Sequence, residues 1–301
     1  MRVSLLIATR DRRASLERSL DAVERAERPW PLEVIVVDNG SRDGTGAFLD
    51  DYARGVPLAL WSLSEPRPGK SHALNAGLTR VTGDVIAFID DDDYVSPDSF
   101  VRVVEIFERS EVGYCGGRIL LHDPTDLPIT VRTATRTELV PPRSFITAGV
   151  IQGCNMALRR EVLEAIGGFD PMLGPGTPFI CEDLDLAARA SAAGWAGGYF
   201  PELLVYHHHG RKTRIEEAAL VRNYSLGRGA YFAKFILDRR TRLQYLKRCY
   251  WHWRSLPFRI LRPEVGGAVR YVLTRLFAQV ERTPPVPVRP SDAPSRSARA
   301  G

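Results

Sequence analysis

Within the first 110 residues, four short apolar runs alternate with segments that carry apolar residues at helical spacing. The runs are typical of buried parallel strands, and they are predicted at 3–8, 32–37, 58–63 and 84–89. A helix is predicted after each of them. Strands that alternate with helices in this way indicate a doubly wound α/β sheet, in which ligands bind outside the carboxyl ends of the strands. The sequence therefore predicts both a fold class and the edge of the sheet where a site should lie.

Polar clusters follow three of these strands, at residues 9–13, 38–43 and 90–93. The third cluster consists of four consecutive aspartates, whose like charges repel one another in a folded chain. A bound divalent cation would remove that repulsion, because hard cations prefer carboxylate oxygen. A solvated acidic turn is the alternative interpretation. Three polar clusters at one edge of a sheet favour the cation and a ligand site beside it.

The second half of the chain is less regular. Strands are predicted at 112–121, 129–133 and 198–206, and helices at 160–166 and from about 181 to 194. The earlier helix that follows the fourth strand is predicted to have Ser96 as its N-cap. Beyond residue 214 the pattern is helical, with breaks expected at Pro257 and Pro263.

Composition sets limits on the class of protein. The hydrophobic fraction of 44% and the charged fraction of 26% are those of an ordinary globular protein. No signal peptide and no membrane-spanning helix are expected, because no apolar run approaches about 18–20 residues. The four cysteines lie far apart without a C-x-x-C pair, which indicates free thiols in a reducing cytoplasm: Cys115, Cys154, Cys181 and Cys249.

The net charge of +5 is unevenly distributed. Residues 241–301 contain 12 Lys and Arg against 3 Asp and Glu, a net charge of +9, which leaves −4 for residues 1–240. Aromatic side chains lie among these bases, and basic helices with aromatics often bind anionic membrane surfaces. A packed helical subdomain and a nucleic-acid patch are the alternatives.

Seven motifs occur in the order typical of one enzyme family: Val3-Ser-Leu-Leu-Ile-Ala-Thr9, Val36-Val-Asp-Asn-Gly-Ser-Arg-Asp-Gly-Thr45, Gly69-Lys-Ser-His-Ala-Leu-Asn-Ala-Gly77, Phe88-Ile-Asp-Asp-Asp-Asp93, Gly167-Gly-Phe-Asp170, Glu182-Asp183 and the histidines 207–209. On these motifs the chain resembles the family 2 glycosyltransferases, inverting enzymes of the GT-A fold that are found in bacterial surface-polysaccharide biosynthesis. The motifs cover about residues 1–212.

The resemblance implies a GT-A-type, Rossmann-like mixed α/β sheet flanked by helices, with a helical C-terminal extension. The glycosyltransferase domain is expected at 1–212, with a nucleotide-binding half at 1–110 and an acceptor and catalytic half at 111–212. Residues 213–282 would form the basic, aromatic extension, and 283–301 a disordered tail. The expected location is the cytoplasm, with peripheral attachment to the inner face of the cell membrane as a hypothesis.

The resemblance also assigns the donor side of the site. Asp38 would accept the imide hydrogen of a pyrimidine base, although an aspartate in such a turn could instead only satisfy the backbone. Lys70 suits a phosphate or ribose, with a solvated surface lysine as the alternative. The residues expected at the donor nucleotide are Thr9, Arg10, Asp38, Lys70, Asp90 and Asp91.

The family's D-x-D metal motif maps best onto Asp90 and Asp92, and Asp91 with Asp93 is the alternative register. The cation, Mg²⁺ or Mn²⁺, would bridge the donor diphosphate. A histidine of the 207–209 run is expected to complete the site. Because side chains alternate along a strand, His207 or His209 could face the metal, and the spacing from Val205 favours His207.

The catalytic base expected from the resemblance is Asp183, with Glu182 orienting the acceptor. An acceptor hydroxyl needs such a base, whereas acids in a first helical turn are also favoured by the helix dipole alone. The bases at 211–214 could clamp the diphosphate or form a solvated turn.

The predicted activity is metal-dependent, inverting transfer of a sugar, as by a hexosyltransferase, from a nucleotide-sugar to a glycan or lipid-linked acceptor in exopolysaccharide or other surface-glycan assembly. No nucleic-acid partner is expected, and the sequence predicts no oligomeric state. A sugar-phosphate nucleotidyltransferase is one alternative, but it would need glycines after the first strand, and residues 8–12 contain none. An inactive nucleotide- or carbohydrate-binding module is the other, and the intact acid pairs argue against it.

Overall fold

The computed structural model describes residues 1–277. Its first half alternates strands and helices as the sequence predicts. Apolar strands follow one another through amphipathic helices whose inward faces cover the sheet. The elements are β1 Val3–Thr9, α1 Arg13–Arg25, β2 Leu32–Asp38, α2 Thr45–Gly55, β3 Ala59–Ser64, α3 Lys70–Leu78 and β4 Val85–Asp90.

The second half adds shorter strands and then a helical region. Its elements are β5 Asp93–Val95, α4 Ser99–Arg109, β6 Tyr114–Leu121, β7 Glu138–Val140, a 3₁₀ turn at Gly153–Asn155, β8 Met156–Arg159, α5 Arg160–Ile166, α6 Glu182–Ala192, β9 Gly197–His207, α7 Arg214–Leu237, α8 Arg242–Ser255 and α9 Phe258–Phe277. The helical C-terminal region that was predicted is present, and no helix within residues 1–277 is both long and apolar enough to cross a bilayer.

One mixed sheet joins the two halves, in the order β3-β2-β1-β4-β8-β6-β9-β5, with β7 paired to β9. Strands β1 to β4 are parallel, so their carboxyl ends meet at one edge. Strand β8 is antiparallel to both β4 and β6. This arrangement confirms the predicted mixed α/β sheet flanked by helices.

Strand β9 brings the second half to the edge where β4 ends. Its register on β6 shifts between Gly117 and Arg118, which lets its last residues pair with β5. In that pairing Asp93 lies opposite His207. A strand that starts inside the acidic block thus places the last aspartate beside the first histidine.

The C-terminal helices share a core with the α/β part. Tyr231 of α7, Tyr245 of α8 and Tyr271 of α9 are buried in the same apolar cluster as residues of β4 and α6. Helices α7 and α9 cross so closely that a Cβ on Gly229 would lie 1.9 Å from the Glu264 carbonyl oxygen. The extension is therefore packed against the α/β part over a buried face, and the division at residue 212 stays a prediction.

Four local predictions were wrong or incomplete. Residues 129–133 form only an isolated bridge from Arg132 to Ile119. Pro263 lies inside α9 and does not end it, although a break was expected there. Helix α4 begins at Ser99 and not at Ser96. Strands β5, β7 and β8 were not predicted, and the tail predicted at 283–301 lies outside the described residues.

Candidate functional site

The acidic block lies where β4 turns into β5. Asp90 ends β4, Asp93 begins β5, and Asp91 and Asp92 form the turn between them. One carboxylate oxygen from each of Asp90, Asp92 and Asp93 lies within 4.8 Å of the others. Asp92 and Asp93 are buried, and Oδ1 of Asp93 has no hydrogen-bond partner among residues 1–277. Buried carboxylates in this arrangement suit a divalent cation.

His207 faces this cluster from the end of β9. Its Nε2 lies 3.6 Å from Oδ1 of Asp92, and its Nδ1 lies 3.2 Å from Oγ1 of Thr130. The Thr130 hydroxyl donates its own hydrogen to the Ile129 carbonyl at 2.6 Å, so it can accept one from Nδ1. With Nδ1 directed at Thr130, Nε2 is the nitrogen directed at the carboxylates, and it can bind a metal once its proton is released.

The charge around His207 also favours a cation. Burial alone would lower the pKa of His207, but Asp93 and Asp92 outweigh it and raise the pKa to about 9. Burial would likewise raise the pKa of Asp92, whereas His207 and Arg12 hold it well below its usual range. Three carboxylates and one imidazole are ligands that Mg²⁺ or Mn²⁺ accepts, so the residues present fit the implied metal.

The neighbouring histidines have other contacts. His209 donates from Nε2 to the Leu127 carbonyl at 3.1 Å, and its Nδ1 accepts from the Arg211 backbone at 2.9 Å. Both ring nitrogens are therefore occupied. His208 points to the other face, 3.0 Å from the Tyr94 hydroxyl. Of the three histidines, only His207 faces the acidic block.

Arg12 is a member of the site to which sequence reasoning gave no role. Its guanidinium lies 3.0 Å from Asp91 Oδ1 and 2.8 Å from Asp92 Oδ2. The other oxygen of Asp91 accepts from Thr9 at 2.7 Å. Burial raises the pKa of Asp91 to about 6 despite these two partners. Because both oxygens of Asp91 are occupied, Asp92 is the more available of the two to a metal.

A cavity of about 380 Å³ lies at the carboxyl edge of β1 and β4, where the donor nucleotide is predicted, and it is called the donor cavity below. Of the residues predicted to hold the donor nucleotide, this cavity is lined by Thr9, Arg10, Lys70, Asp90 and Asp91. Asp38 is the exception. It lies beside Thr9 in the sheet, but its carboxylate accepts from the Ser41 backbone at 2.8 Å, and within residues 1–277 it lines neither this cavity nor the next.

Asn39, the next residue, does line the donor cavity. Its amide donates to the carbonyls of Glu65 and Arg67 at 2.8 and 2.7 Å, and its oxygen accepts from the Gly69 backbone at 2.9 Å. Three hydrogen bonds thus tie the end of β2 to the loop that begins α3. Asn39 therefore fixes the position of Lys70, the first residue of α3.

Lys70 joins the acidic block to the predicted catalytic pair. Its ammonium contacts the carboxylate of Asp90 and lies 3.5 Å from Glu182 Oε1. Burial alone would lower the pKa of Lys70, but Asp90, Glu182 and Asp183 raise it well above its usual value. The side chain therefore stays charged, and it is a positioning cation for groups on both sides of the site.

Glu182 and Asp183 begin α6. Asp183 accepts from the Gly153 backbone at 2.8 Å and from the Leu184 backbone at 2.7 Å. Burial raises the pKa of Asp183 in spite of these bonds, and it raises the pKa of Glu182 to about 7. A fixed carboxylate with a raised pKa is a stronger base than a free aspartate.

A second cavity of about 500 Å³ lies over this pair. It shares Lys70, Asp90 and His207 with the donor cavity, so the two adjoin. Tyr224 lines both cavities, and Arg228 lines the second. Both lie on α7, and no motif in the sequence indicated them.

The three basic residues that follow the histidines have different surroundings. Arg211 lines the donor cavity, whereas Lys212 binds Asp123 at 2.8 Å and Arg214 binds Glu217 at 2.6 Å. Of the three, only Arg211 lines this cavity.

The family model for glycosyl transferase family 2 matches residues 4–167. The chain belongs to this family. That range covers β1 to α5, and it includes the acidic block, Arg12 and Lys70. The predicted family is thereby confirmed.

Curated relatives of this glycosyltransferase include a glycosyltransferase of Nostoc sp., 27% identical over 181 residues, which are 57% of this chain and 55% of the relative. The succinoglycan biosynthesis protein ExoM of Rhizobium meliloti is 29% identical over 192 residues, 63% of this chain and 60% of ExoM. A glucosyl-dolichyl phosphate glucuronosyltransferase of Haloferax volcanii is 25% identical over 190 residues, 58% of each chain. The matched region thus spans a little over half of these relatives.

Two solved structures share the fold of this glycosyltransferase. The mannosyltransferase PcManGT of Pyrobaculum calidifontis, in complex with GDP-Man and Mn²⁺, has a TM-score of 0.64 at 22% identity, over 90% of this chain and 75% of PcManGT. TarS 1–349 of S. aureus, in complex with UDP-GlcNAc, has a TM-score of 0.59 at 15% identity, over 90% and 81%. The likeness confirms the GT-A fold.

Proposed function

We propose that this glycosyltransferase is metal-dependent and inverting, and that it moves a sugar from a nucleotide-sugar to an acceptor hydroxyl. The observation that carries the proposal is the Lys70 contact with both Asp90 and Glu182. It joins a cavity edged by metal-binding groups to a cavity edged by a fixed carboxylate. PcManGT, which shares the fold, was solved with GDP-Man and Mn²⁺, and this supports a nucleotide-sugar donor and a divalent metal here.

The donor would lie in the cavity at the ends of β1 and β4. Asp90, Asp92 and His207 would hold Mg²⁺ or Mn²⁺, which when bound supplies positive charge that stabilises the leaving diphosphate. Arg12 would keep Asp92 oriented. Arg211 supplies a further cation at the same cavity. Thr9 and Asp91, whose side chains hydrogen-bond to each other, would contact the nucleoside.

Asp183 would act as the base. It takes the proton of the acceptor hydroxyl while that oxygen forms a bond to the anomeric carbon, and the bond from this carbon to the diphosphate oxygen breaks with its electron pair. One displacement from the face opposite the diphosphate inverts the anomeric configuration. The backbone N–H groups of Gly153 and Leu184 hold the carboxylate in place. Glu182, on the Lys70 side, would orient the acceptor.

The acceptor class follows from the relatives and from the helical extension. ExoM is named for succinoglycan biosynthesis, and the Haloferax relative for a dolichyl phosphate substrate. These names support a glycan or lipid-linked acceptor in surface-glycan assembly. Exposed apolar side chains such as Leu243 and Phe258 lie on the basic extension, which supports peripheral binding to an anionic membrane.

The test of the proposal is Asp183→Asn. Loss of a general base costs on the order of 10²–10⁴ in rate, so transfer should fall by that factor while donor binding stays near the wild-type value. Calorimetry with UDP- and GDP-sugars and Mn²⁺ measures donor binding, and NMR of the product gives its anomeric configuration. Glu161→Gln, another acid in a first helical turn, is the matched control. Equal loss of transfer and donor binding, or a product with retained configuration, would overturn the mechanism.

A further inference from the structure

A third cavity, of about 450 Å³, lies between the α/β part and helix α8. Its walls combine aromatic rings with cations. The side chains that define it are Phe145, Tyr231, Phe232, Trp251, Arg228 and Arg248. None of these residues belongs to a motif that carries the transfer chemistry.

This aromatic cavity adjoins the cavity of the catalytic pair. Ala148, Leu184 and Arg228 line both. Leu184 is the residue after Asp183, and its backbone N–H donates to that carboxylate. A molecule in the aromatic cavity can therefore extend to the predicted base without leaving the protein surface.

The two arginines of the aromatic cavity differ in their partners. Arg228 donates from Nε to Glu264 at 2.7 Å, and Glu264 is fully buried. Arg248 lies over the Phe145 ring at 5.5 Å and, within residues 1–277, has no acidic partner. Helix α8, which carries Arg248, contains no acidic residue at all. Arg248 thus offers an exposed, uncompensated positive charge at the mouth of the cavity.

An apolar groove of about 330 Å³ lies on the far side of Phe232. Phe232 lines both the groove and the aromatic cavity. The remaining walls of the groove are entirely apolar and include Ile236, Trp253, Val269, Val272 and Leu273. A hydrocarbon chain is the kind of group that such a surface binds.

We propose that the aromatic cavity is an acceptor subsite for a phosphate-linked lipid that carries a sugar. The phosphate binds Arg248, the sugar packs beside Trp251 and extends to Asp183, and the hydrocarbon lies in the apolar groove. Along the protein surface the predicted catalytic carboxylate comes first, then the Arg248 cation, then the apolar groove. In such a lipid the sugar, the phosphate and the hydrocarbon follow one another in the same order. This inference rests on the proposed function, because only a glycosyltransferase would need this acceptor beside Asp183.

The test uses farnesyl monophosphate as a probe that carries the lipid and the phosphate without a sugar. Titration of the full chain, followed by calorimetry, should show binding that Arg248→Ala weakens about tenfold, the scale of a charge-assisted contact. Trp251→Ala should bind the probe as wild type does, because the probe lacks the sugar that is proposed to pack beside Trp251. Arg254→Ala is the matched control, because Arg254 lies on the same helix, hydrogen-bonds to Tyr250 and, in the described part of the chain, lines neither the groove nor the aromatic cavity. Farnesol and inorganic phosphate should each bind at least tenfold more weakly than the probe.

Three results would overturn the subsite. Arg254→Ala could weaken binding as much as Arg248→Ala, farnesol or inorganic phosphate could bind as well as the probe, or wild type could fail to bind the probe. Donor binding by wild type, measured in parallel with UDP- and GDP-sugars, separates the two proposals. Failure of donor binding with intact probe binding counts against the proposed function, whereas intact donor binding without probe binding counts against the subsite alone.

Discussion

The strand-end site and the helical extension are both rich in charge, but they hold it in different ways. At the strand ends, buried acids face one another and are balanced by Arg12, Lys70 and His207. In the extension most cations are exposed, and one buried acid, Glu264, accepts hydrogen bonds from Arg228, His252 and Trp253. The first arrangement concentrates negative charge for a cation, and the second presents positive charge to an anion.

The two regions are joined by a buried ion-pair cluster. Lys234 of α7 lies 2.7 Å from Asp170 and 2.6 Å from Asp185, which is in α6. Asp170 ends the Gly-Gly-Phe motif, and Phe169 of that motif packs edge-on against Phe88 of β4. The family motif at 167–170 therefore connects the sheet to the extension.

The largest expected effect is at the strand ends. Asp92→Ala removes an oxygen that faces His207 and also a partner of Arg12. Because a metal contributes several kcal/mol to transition-state stabilisation, transfer should fall by about a thousandfold. Titration of activity and of donor binding with Mn²⁺ is the measurement. Asp98→Asn, an acid on the neighbouring helix cap, should leave both unchanged; metal dependence that survives in Asp92→Ala would contradict the ligand role.

A smaller effect, on stability, tests the junction. Lys234→Met leaves the buried carboxylate of Asp170 without its cation and Asp185 with Arg189 alone, which should cost about 3–5 kcal/mol in the free energy of unfolding. Urea denaturation measures this cost, and Lys247→Met, on the exposed face of α8, should cost almost nothing. A single transition that shifts as a whole indicates one folding unit; two transitions, only one of which shifts, would indicate an extension that folds separately.

The same cluster should give the junction a pH dependence. Burial raises the pKa of Asp185, but Lys234 and Arg189 outweigh it and lower the pKa below the usual 3.8. A lowered pKa in the folded state means that the pair contributes its full stability above pH 3.8 and loses it as the pH falls further. In Lys234→Met this part of the acid sensitivity should be reduced.

Much of the strand-end site could be predicted, because regular strands place their last residues at one edge. The placement of Asp90, Asp92 and Thr9 follows from that rule. For the histidine, alternation along β9 left His207 or His209, and the choice of His207 also used its spacing from Val205. Asp38 also ends its strand at this edge, but its carboxylate accepts from the Ser41 backbone and Asn39 lines the cavity, so its contact with a base stays a prediction. Tyr224 and Arg228 could not be found in this way, because their positions depend on how α7 crosses the sheet, and no local pattern encodes that angle.

The smallest expected effect concerns the outer face of the extension. Phe258 and Arg262 are four residues apart on α9, so they lie on one face, and both are exposed. A base near an anionic surface contributes about 1 kcal/mol, so Arg262→Gln should weaken binding to phosphatidylglycerol vesicles about fivefold. Vesicle flotation at two salt concentrations measures this, with phosphatidylcholine vesicles as the neutral reference. Arg136→Gln removes the same charge from an exposed loop outside the extension and serves as the control. If both variants lose binding equally, net charge and not the extension governs membrane contact, and the contrast between the two regions would not extend to the membrane.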